Sequence, residues 1–373
     1  MTATCYLLPA TCYFQRTRFV YNRTTMSTPT SPAPLADPTP DVATLIADTE
    51  AEIRRLVGDR DDATGGLYEM VRYHLALDDS GASGGKRMRP LLGLLAYASI
   101  AGDHARALPG AAAVELGHNF SLVHDDIEDG DRERRHRPTL WSVRGVPQAI
   151  NTGDTLFSLS RIALHRLSDL GFSDAKVLRL MRLYDETCLA LCEGQYIDIA
   201  TSESDELLSV DGYFDMIGRK TAALIAASIE AGALLATDDE AVIARYRAFG
   251  WDLGIAFQVN DDLLGIWGDG KATGKAASDV VHKKKTLPVI YAAEHAGPAD
   301  RARLLNLYAA SSPTPDELAE VVAILERVGA RDYTRGEARR YRDRALAELD
   351  AAGVVSADAR ARLEEIVVGV ITA

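Results

Sequence analysis

Residues 115–129 read ELGHNFSLVHDDIED. The run Asn119–Val123 reads as a buried helix and leads straight into three carboxylates, Asp125, Asp126 and Asp129. At about 100° per residue, Asp125 and Asp129 share one helix face, a turn apart, with Asp126 beside them. Carboxylates crowded at the end of a buried helix repel one another, and a hard divalent cation with oxygen ligands relieves that repulsion. Taken alone, the segment also fits a solvated acidic helix end.

A second acidic pair, Asp261 and Asp262, stands in FQVNDDLLGIWGD, again after an apolar helix with Trp251, Leu253, Ile255, Ala256 and Val259. Two such ends suggest facing walls of one cavity. Between them they suit Mg2+, which keeps waters and shares its coordination with substrate phosphates.

Outward from these segments the pattern is helical nearly throughout. Helices are expected over 44–57, 66–78, 87–102, 106–129, 146–169, 175–200, 210–236, 239–267, 285–296, 300–310, 314–328, 330–351 and 356–370, from apolar spacings of three and four. Breaks fall at Gly84-Gly85, Arg137-Pro138, Asp269-Gly270 and Ser312-Pro313. Sustained strand alternation is missing. The expectation is one all-α domain over 41–373, a helical bundle around a deep central cavity. The stretch 1–40 differs. Met1–Thr25 holds three arginines and no acid, which fits a transit peptide or an untranslated stretch upstream of a true start at Met26. Ser27–Pro40, STPTSPAPLADPTP, is expected to be a disordered tail, with docking to a partner protein or shell as a function it could keep.

Of 373 residues, 47% are hydrophobic and the net charge is −13, so a large core can form and a nucleic-acid partner is not expected. The apolar stretch Thr221–Thr237 is broken by Glu230, so no membrane span is expected and helix packing is the reading. Four cysteines make no disulfide framework, and a reducing, cytoplasmic setting follows; Cys188 and Cys192 are expected to be small buried residues.

Cations cluster where a phosphate would sit. Gly84-Gly85-Lys86-Arg87-Met88-Arg89-Pro90 places three at a helix start, where backbone donors favour an anion. Arg134 and Arg135 can make forked phosphate contacts, and Lys220, Lys275 and Lys283-Lys284-Lys285 add more. GDGKATGKA, 268–276, is not a phosphate loop, because its spacing fails and it follows a helix.

With GGKRMRP, ELGHNFSLVHDDIED, RRHRPT, EGQYID, GRKTAAL, FQVNDDLL and TGKAASD with KKKTLP in this order, the sequence resembles the trans-isoprenyl diphosphate synthases of the polyprenyl synthetase family, from about residue 44 to the end. The resemblance implies an isoprenoid synthase-type bundle, usually a homodimer. It implies condensation of isopentenyl diphosphate with an allylic diphosphate, with Mg2+, roughly three ions with diphosphate bound. Asp125, Asp126, Asp129, Asp261 and Asp262 take the metal-binding positions. Lys86, Arg89, His118 and Arg135 match the isopentenyl diphosphate pocket. Arg134, Lys220 and Lys284 match contacts to the allylic diphosphate, and Lys275 resembles a further one. Thr221 and Gln258 match polar groups near the developing carbocation.

Two positions depart from the family. Gly265 stands where many members have a third Asp; Asp269 is expected to substitute through water, and Gly265→Asp to alter Mg2+ dependence only modestly. His136 replaces a glycine read as a packing feature. Phe120, five positions before Asp125 and about 7.5 Å below it along the helix, with small Ser121 beside it, resembles the floor of the elongation cavity in short-chain members. Geranylgeranyl diphosphate is the expected product. The alternatives are a farnesyl diphosphate synthase, a weakly active regulatory subunit and a class I terpene cyclase; the last would not need Lys86, Arg89 and Arg135.

Overall fold

The computed structural model describes residues 41–58, 60, 65–78, 84–204, 207–268, 278–309, 314–353 and 355–370. The 1–40 tail with Cys5 and Cys12, the breaks at Asp269-Gly270 and Ser312-Pro313, and Asp269 and Lys275 lie outside them.

The described residues form an all-α bundle. Its helices are α1 (Val42–Gly58), α2 (Leu67–Leu75), α3 (Met88–Ala101), α4 (Leu108–Glu128), α5 (Leu140–Arg144), α6 (Val146–Asp169), α7 (Asp174–Glu203), α8 (Val210–Ile217), α9 (Ala223–Ala236) and α10 (Glu240–Trp267). After the gap come α11 (Ser278–Val281), α12 (Leu287–His295), α13 (Pro298–Ala309), α14 (Pro315–Arg327), α15 (Ala330–Ala351) and α16 (Ala357–Val370). Most expected helices are present within a few residues. The short α5 was not expected, and 210–236 is divided by a π-helical turn at Gly218–Ala222. The strand content among the described residues is one hairpin, Glu133–Arg134 against Arg137–Pro138.

The bundle is organised by two almost wholly buried helices. In α4 every residue from Pro109 to Val123 is buried except His118 and Ser121, and in α9 every residue from Leu224 to Leu235 is buried. Elements buried on nearly every side belong at the centre of a large core. Small side chains let neighbours close on α9: a Cβ at Gly232 would lie 2.1 Å from the Gly93 carbonyl oxygen of α3. Glu230 is mostly buried within α9, so the apolar stretch is internal packing. Among the described residues no helix is long and apolar enough to cross a membrane. Of the α7 cysteines Cys188 is buried as expected, whereas Cys192 is exposed.

Candidate active site

Asp125 lies in the last turn of α4 and Asp129 caps that helix. Burial raises Asp125 to about 7, with Lys220 pulling it down and Asp129 pushing it up. Burial raises Asp129 as well. Asp126 is 2% exposed, and Arg134 Nε donates to its Oδ1 at 2.5 Å. The hairpin makes that pair possible. Arg134 pairs with Arg137, so Arg135 and His136 form a two-residue turn with φ of 53° and 62°. Such a turn needs left-handed backbone at both positions, where glycine or asparagine is usual. The glycine that His136 replaces therefore has a conformational role, which corrects the packing reading. His136 itself points to solvent beside Glu133.

The cation pocket forms between α3, α4 and the hairpin. Arg89 Nη1 and His118 Nε2 are 3.1 Å apart. A guanidinium only donates, so Nε2 accepts and the His118 proton resides on Nδ1. Burial, then Arg89, hold His118 well below its ordinary pKa, so it is neutral. Arg135 donates to the Gly84 carbonyl, and a Cβ on Gly85 would lie 2.5 Å from the Arg135 guanidinium carbon. Gly85 is also left-handed, with φ of 90°. Lys86 is exposed. Arg87 is not a ligand-facing cation: it is 3% exposed and donates to Glu115 Oε1 and the Leu75 carbonyl, both at 2.6 Å. His74 on α2 escaped the sequence reading. Its Nε2 is buried without a hydrogen-bond partner, in a cleft it lines with Asp126, Arg134 and Arg135. Burial, then Arg134, lower it to about 3. Nothing local to Tyr73-His74 marks it in the sequence.

The two acidic ends are linked through the π-helical turn. A π turn widens the helix by one residue and often marks a functional position. Here it is flanked by glycines: a Cβ at Gly194 would lie 2.5 Å from Lys220 N, and one at Gly254 2.6 Å from Ala222 Cα. Lys220 Nζ pairs with Asp198 of EGQYID, a residue not singled out from sequence. Burial disfavours the ammonium, yet Asp198, Asp125 and Asp129 leave its pKa raised. Thr221 Oγ1 donates to Gln258 Oε1 at 3.0 Å, and Gln258 Nε2 to Asp262 Oδ1 at 3.1 Å. Asp262 Oδ2 accepts from Tyr213 OH and, at 2.9 Å, from Leu287 N–H. Asp262 is 3% exposed, with both oxygens engaged by protein donors, and burial raises it to about 7. It braces the wall, while its neighbour Asp261 is exposed. Burial, then Asp279, raise Asp261. Lys284 Nζ is 3.6 Å from Asp279 Oδ1.

Hard oxygen donors whose ionised forms burial disfavours fit a divalent cation, whose charge offsets that cost. Of the five motif carboxylates Asp129 and Asp261 are exposed and Asp125 is half-buried, and among the described residues no three such groups stand close enough to hold an ion by themselves.

Below the first acidic end, Phe120 meets Phe157 of α6 edge-on with ring centroids 5.1 Å apart. Phe157 stacks on Tyr184 of α7 at 6.4 Å. Tyr184 OH is 2.6 Å from Ser160 Oγ, and a Cβ at Gly117 would lie 2.2 Å from it.

A fold and site of this kind define a prenyltransferase. The polyprenyl synthetase family model matches residues 70–325, and the chain belongs to that family. It is 40% identical over 284 residues to the (2E,6E)-farnesyl diphosphate synthase of Mycobacterium tuberculosis, covering 74% of this chain and 77% of that protein. It is 42% identical over 270 residues to the geranylgeranyl diphosphate synthase of the same organism, covering 70% and 75%. The crystal structure of geranylgeranyl pyrophosphate synthetase from Pyrococcus horikoshii superposes with a TM-score of 0.81 at 32% identity, over 89% of this chain and 98% of that one.

Proposed function

We propose that the protein condenses isopentenyl diphosphate with an allylic diphosphate to give a short-chain prenyl diphosphate, geranylgeranyl diphosphate first and farnesyl diphosphate second. The observation that carries this reading is the π-helical turn, which sets Lys220, paired with Asp198 and held charged by Asp125 and Asp129 of the first acidic end, next to Thr221, the start of the hydrogen-bonded run Thr221–Gln258–Asp262–Tyr213 at the second. Arg134, Lys220 and Lys284 bind the allylic diphosphate. Lys86, Arg89, His118 and Arg135 bind isopentenyl diphosphate. Mg2+ held by Asp125, Asp129 and Asp261, with Asp126 and Asp262 bracing them, would neutralise the departing pyrophosphate. The allylic C–O bond breaks with its electron pair on pyrophosphate, and the isopentenyl double bond forms the new C–C bond. Attack leaves a tertiary cation on the methyl-bearing carbon of the isopentenyl unit, and the CH2 next to that cation loses a proton to pyrophosphate, which re-forms a double bond. Thr221 and Gln258 face the transient positive charge, and the surrounding apolar wall excludes water.

The short product rests on three aromatic rings from three helices. Gly117 lies eight residues before Asp125, about 12 Å along α4, and Tyr184 covers it. A close-packed plate there does not deform to admit further isoprene units. We also propose a cytoplasmic homodimer: Leu178, Leu189 and Tyr196 are exposed at 69%, 60% and 74% and share one face of α7. Light scattering of the purified chain at micromolar concentration gives the dimer mass, and a monomer mass removes this part.

The deciding assay supplies the purified chain with Mg2+, isopentenyl diphosphate and labelled dimethylallyl, geranyl or farnesyl diphosphate. A C20 product is expected, from the full chain and equally from one starting at Asp41. No elongation with any primer refutes the reading, and a cyclic hydrocarbon would make the protein a cyclase. Phe120→Ala should lengthen the distribution by about one isoprene unit, and Phe120→Ala with Tyr184→Ala by more, because two rings of the plate are gone. An unchanged distribution in both active variants removes the plate from the account.

A further inference from the structure

Helix α2 ends at Leu75, and its last carbonyls lack the donors that a continuing helix would supply, at the negative end of the helix dipole. Two arginines from distant parts of the chain close on them. Arg87, at the N-cap of α3, donates to the Leu75 carbonyl at 2.6 Å. Arg137, on the second strand of the hairpin, donates to the Tyr73 carbonyl at 3.2 Å. Arg137 also lies over the Tyr73 ring, 3.9 Å from its centroid, and its Nη2 donates to Asp78 Oδ2 at 2.8 Å. Tyr73 OH donates to the Pro138 carbonyl of the same strand at 2.9 Å. The two segments meet each other as well. Arg135 donates to the Gly84 carbonyl, and a Cβ at Gly84 would lie 2.3 Å from Arg87 Nη2. The contacts close a circuit from α2 through Arg87, Gly84, Arg135 and Arg137 back to α2.

We propose that the C-terminal end of α2 is the anchor that sets the spacing between the glycine loop and the hairpin, with Arg87 and Arg137 as its positioning residues. Each segment divides its cations. Arg89, Arg134 and Arg135 are those read above as diphosphate contacts, while Arg87 and Arg137 grip the protein. The anchor is needed for three reasons. Gathered cations repel one another until an anion arrives. A hairpin with two residues a strand cannot hold its own place. Arg87, Arg135 and His136 all have left-handed backbone, which persists only where the surroundings fix it. Arg134 on Asp126 and Arg135 on Gly84 can be drawn off by a diphosphate, whereas the grip of Arg137 on Tyr73 and Asp78 involves no ligand-facing group. The fold thus meets the cost of bringing Lys86, Arg89 and Arg135 together before isopentenyl diphosphate binds, and affinity rises by that amount.

This inference rests on the prenyl synthase reading, and its test separates the two. Binding of isopentenyl diphosphate to the full chain is measured by calorimetry in EDTA, so that neither metal nor turnover enters, and steady-state kinetics are run beside it. Arg137→Met keeps the apolar stem over Tyr73 and removes the fork; it should weaken binding and raise KM for isopentenyl diphosphate about tenfold, with kcat within about threefold of the parent. A purely structural role would lower the unfolding temperature and leave the affinity of the folded molecules unchanged. Arg144→Met is the control, because Arg144 Nη2 donates to Glu69 Oε1 at 3.1 Å, away from the C-terminal end of α2, and touches neither segment. Its binding should match the parent. Parent-like binding by Arg137→Met, an equal loss in Arg144→Met, or a fall in kcat with binding unchanged overturns the proposal. If Arg137→Met fails to fold, Asp78→Asn decides: it keeps shape, loosens the fork and should weaken binding about threefold, and parent-like binding then overturns the anchor. A parent chain that binds no isopentenyl diphosphate sinks the prenyl synthase reading instead. Binding that Arg89→Met abolishes and Arg137→Met leaves intact sinks only the anchor.

Discussion

Helices α4 and α10 each carry two adjacent aspartates towards their C-terminal ends, and in each pair the second is buried, Asp126 at 2% exposure and Asp262 at 3%. The partners differ. Asp126 meets one cation, Arg134, carried on a short hairpin strand beside a two-residue turn. Asp262 meets three uncharged donors, Tyr213, Gln258 and the Leu287 N–H, all on packed helices. A charge-assisted pair on a hairpin can be re-made when an anionic substrate competes for the arginine. Neutral donors in a core offer no such exchange, and burial keeps Asp262 near 7. Under the proposed function, the first wall is the one able to respond to substrate, and the second holds still.

The largest test of this contrast is chemical. Asp125→Ala removes an accessible carboxylate of the responsive wall and should lower turnover by about a thousandfold or more with helicity intact. Near-parent turnover with normal circular dichroism would break the assignment of α4 as the metal-binding end. Asp262→Ala should fail differently. It strands Tyr213 OH and the Leu287 N–H without acceptors, each costing roughly 1–3 kcal/mol, so urea unfolding should show a loss of about 3 kcal/mol. A loss below about 1 kcal/mol would mean that Asp262 is not the brace.

A smaller test uses pH. His74, behind Arg134, has its folded pKa lowered from 6.5 to about 3. The unfolded chain takes up its proton below about 6.5 and the folded chain does not until about 3. Stability from this group is therefore complete above pH 6.5 and is lost progressively as pH falls towards 3. His74→Gln should flatten that decline between pH 7 and pH 5 by up to one proton. An unchanged slope would show that the imidazole is not held neutral. The smallest effect belongs to His136→Gly. It relieves a left-handed residue at φ 62° and should stabilise the chain by no more than about 1 kcal/mol, read as a small rise in unfolding temperature. A clear fall would mean that the His136 side chain contributes more than the turn costs.

Helix positions were legible in the sequence because apolar spacing of three and four is set within a turn or two. The all-α class, the long α4 and α10, the buried α9 and the acidic ends all follow from that local pattern. So does the gathering of Lys86, Arg89, Arg134, Arg135 and Lys220 among motif residues, since each motif carries its own chemistry. Local pattern could not tell Arg87 from Arg89, or Asp262 from Asp261. Adjacent residues differ by about 100° around a helix, and which of them meets solvent depends on what packs alongside. Glu115 and the Leu75 carbonyl turn Arg87 inward; Tyr213 and Leu287, far along the chain, turn Asp262 inward. The same limit hid His74, Asp198 and the Phe157–Tyr184 part of the plate, whose partners lie on other helices. Sequence by itself determined the helices, the motif chemistry and the missing carboxylate at Gly265. Only the tertiary structure decided that Asp279 lies against Gly265, because excluded volume acts between atoms in contact, however far apart they stand along the chain.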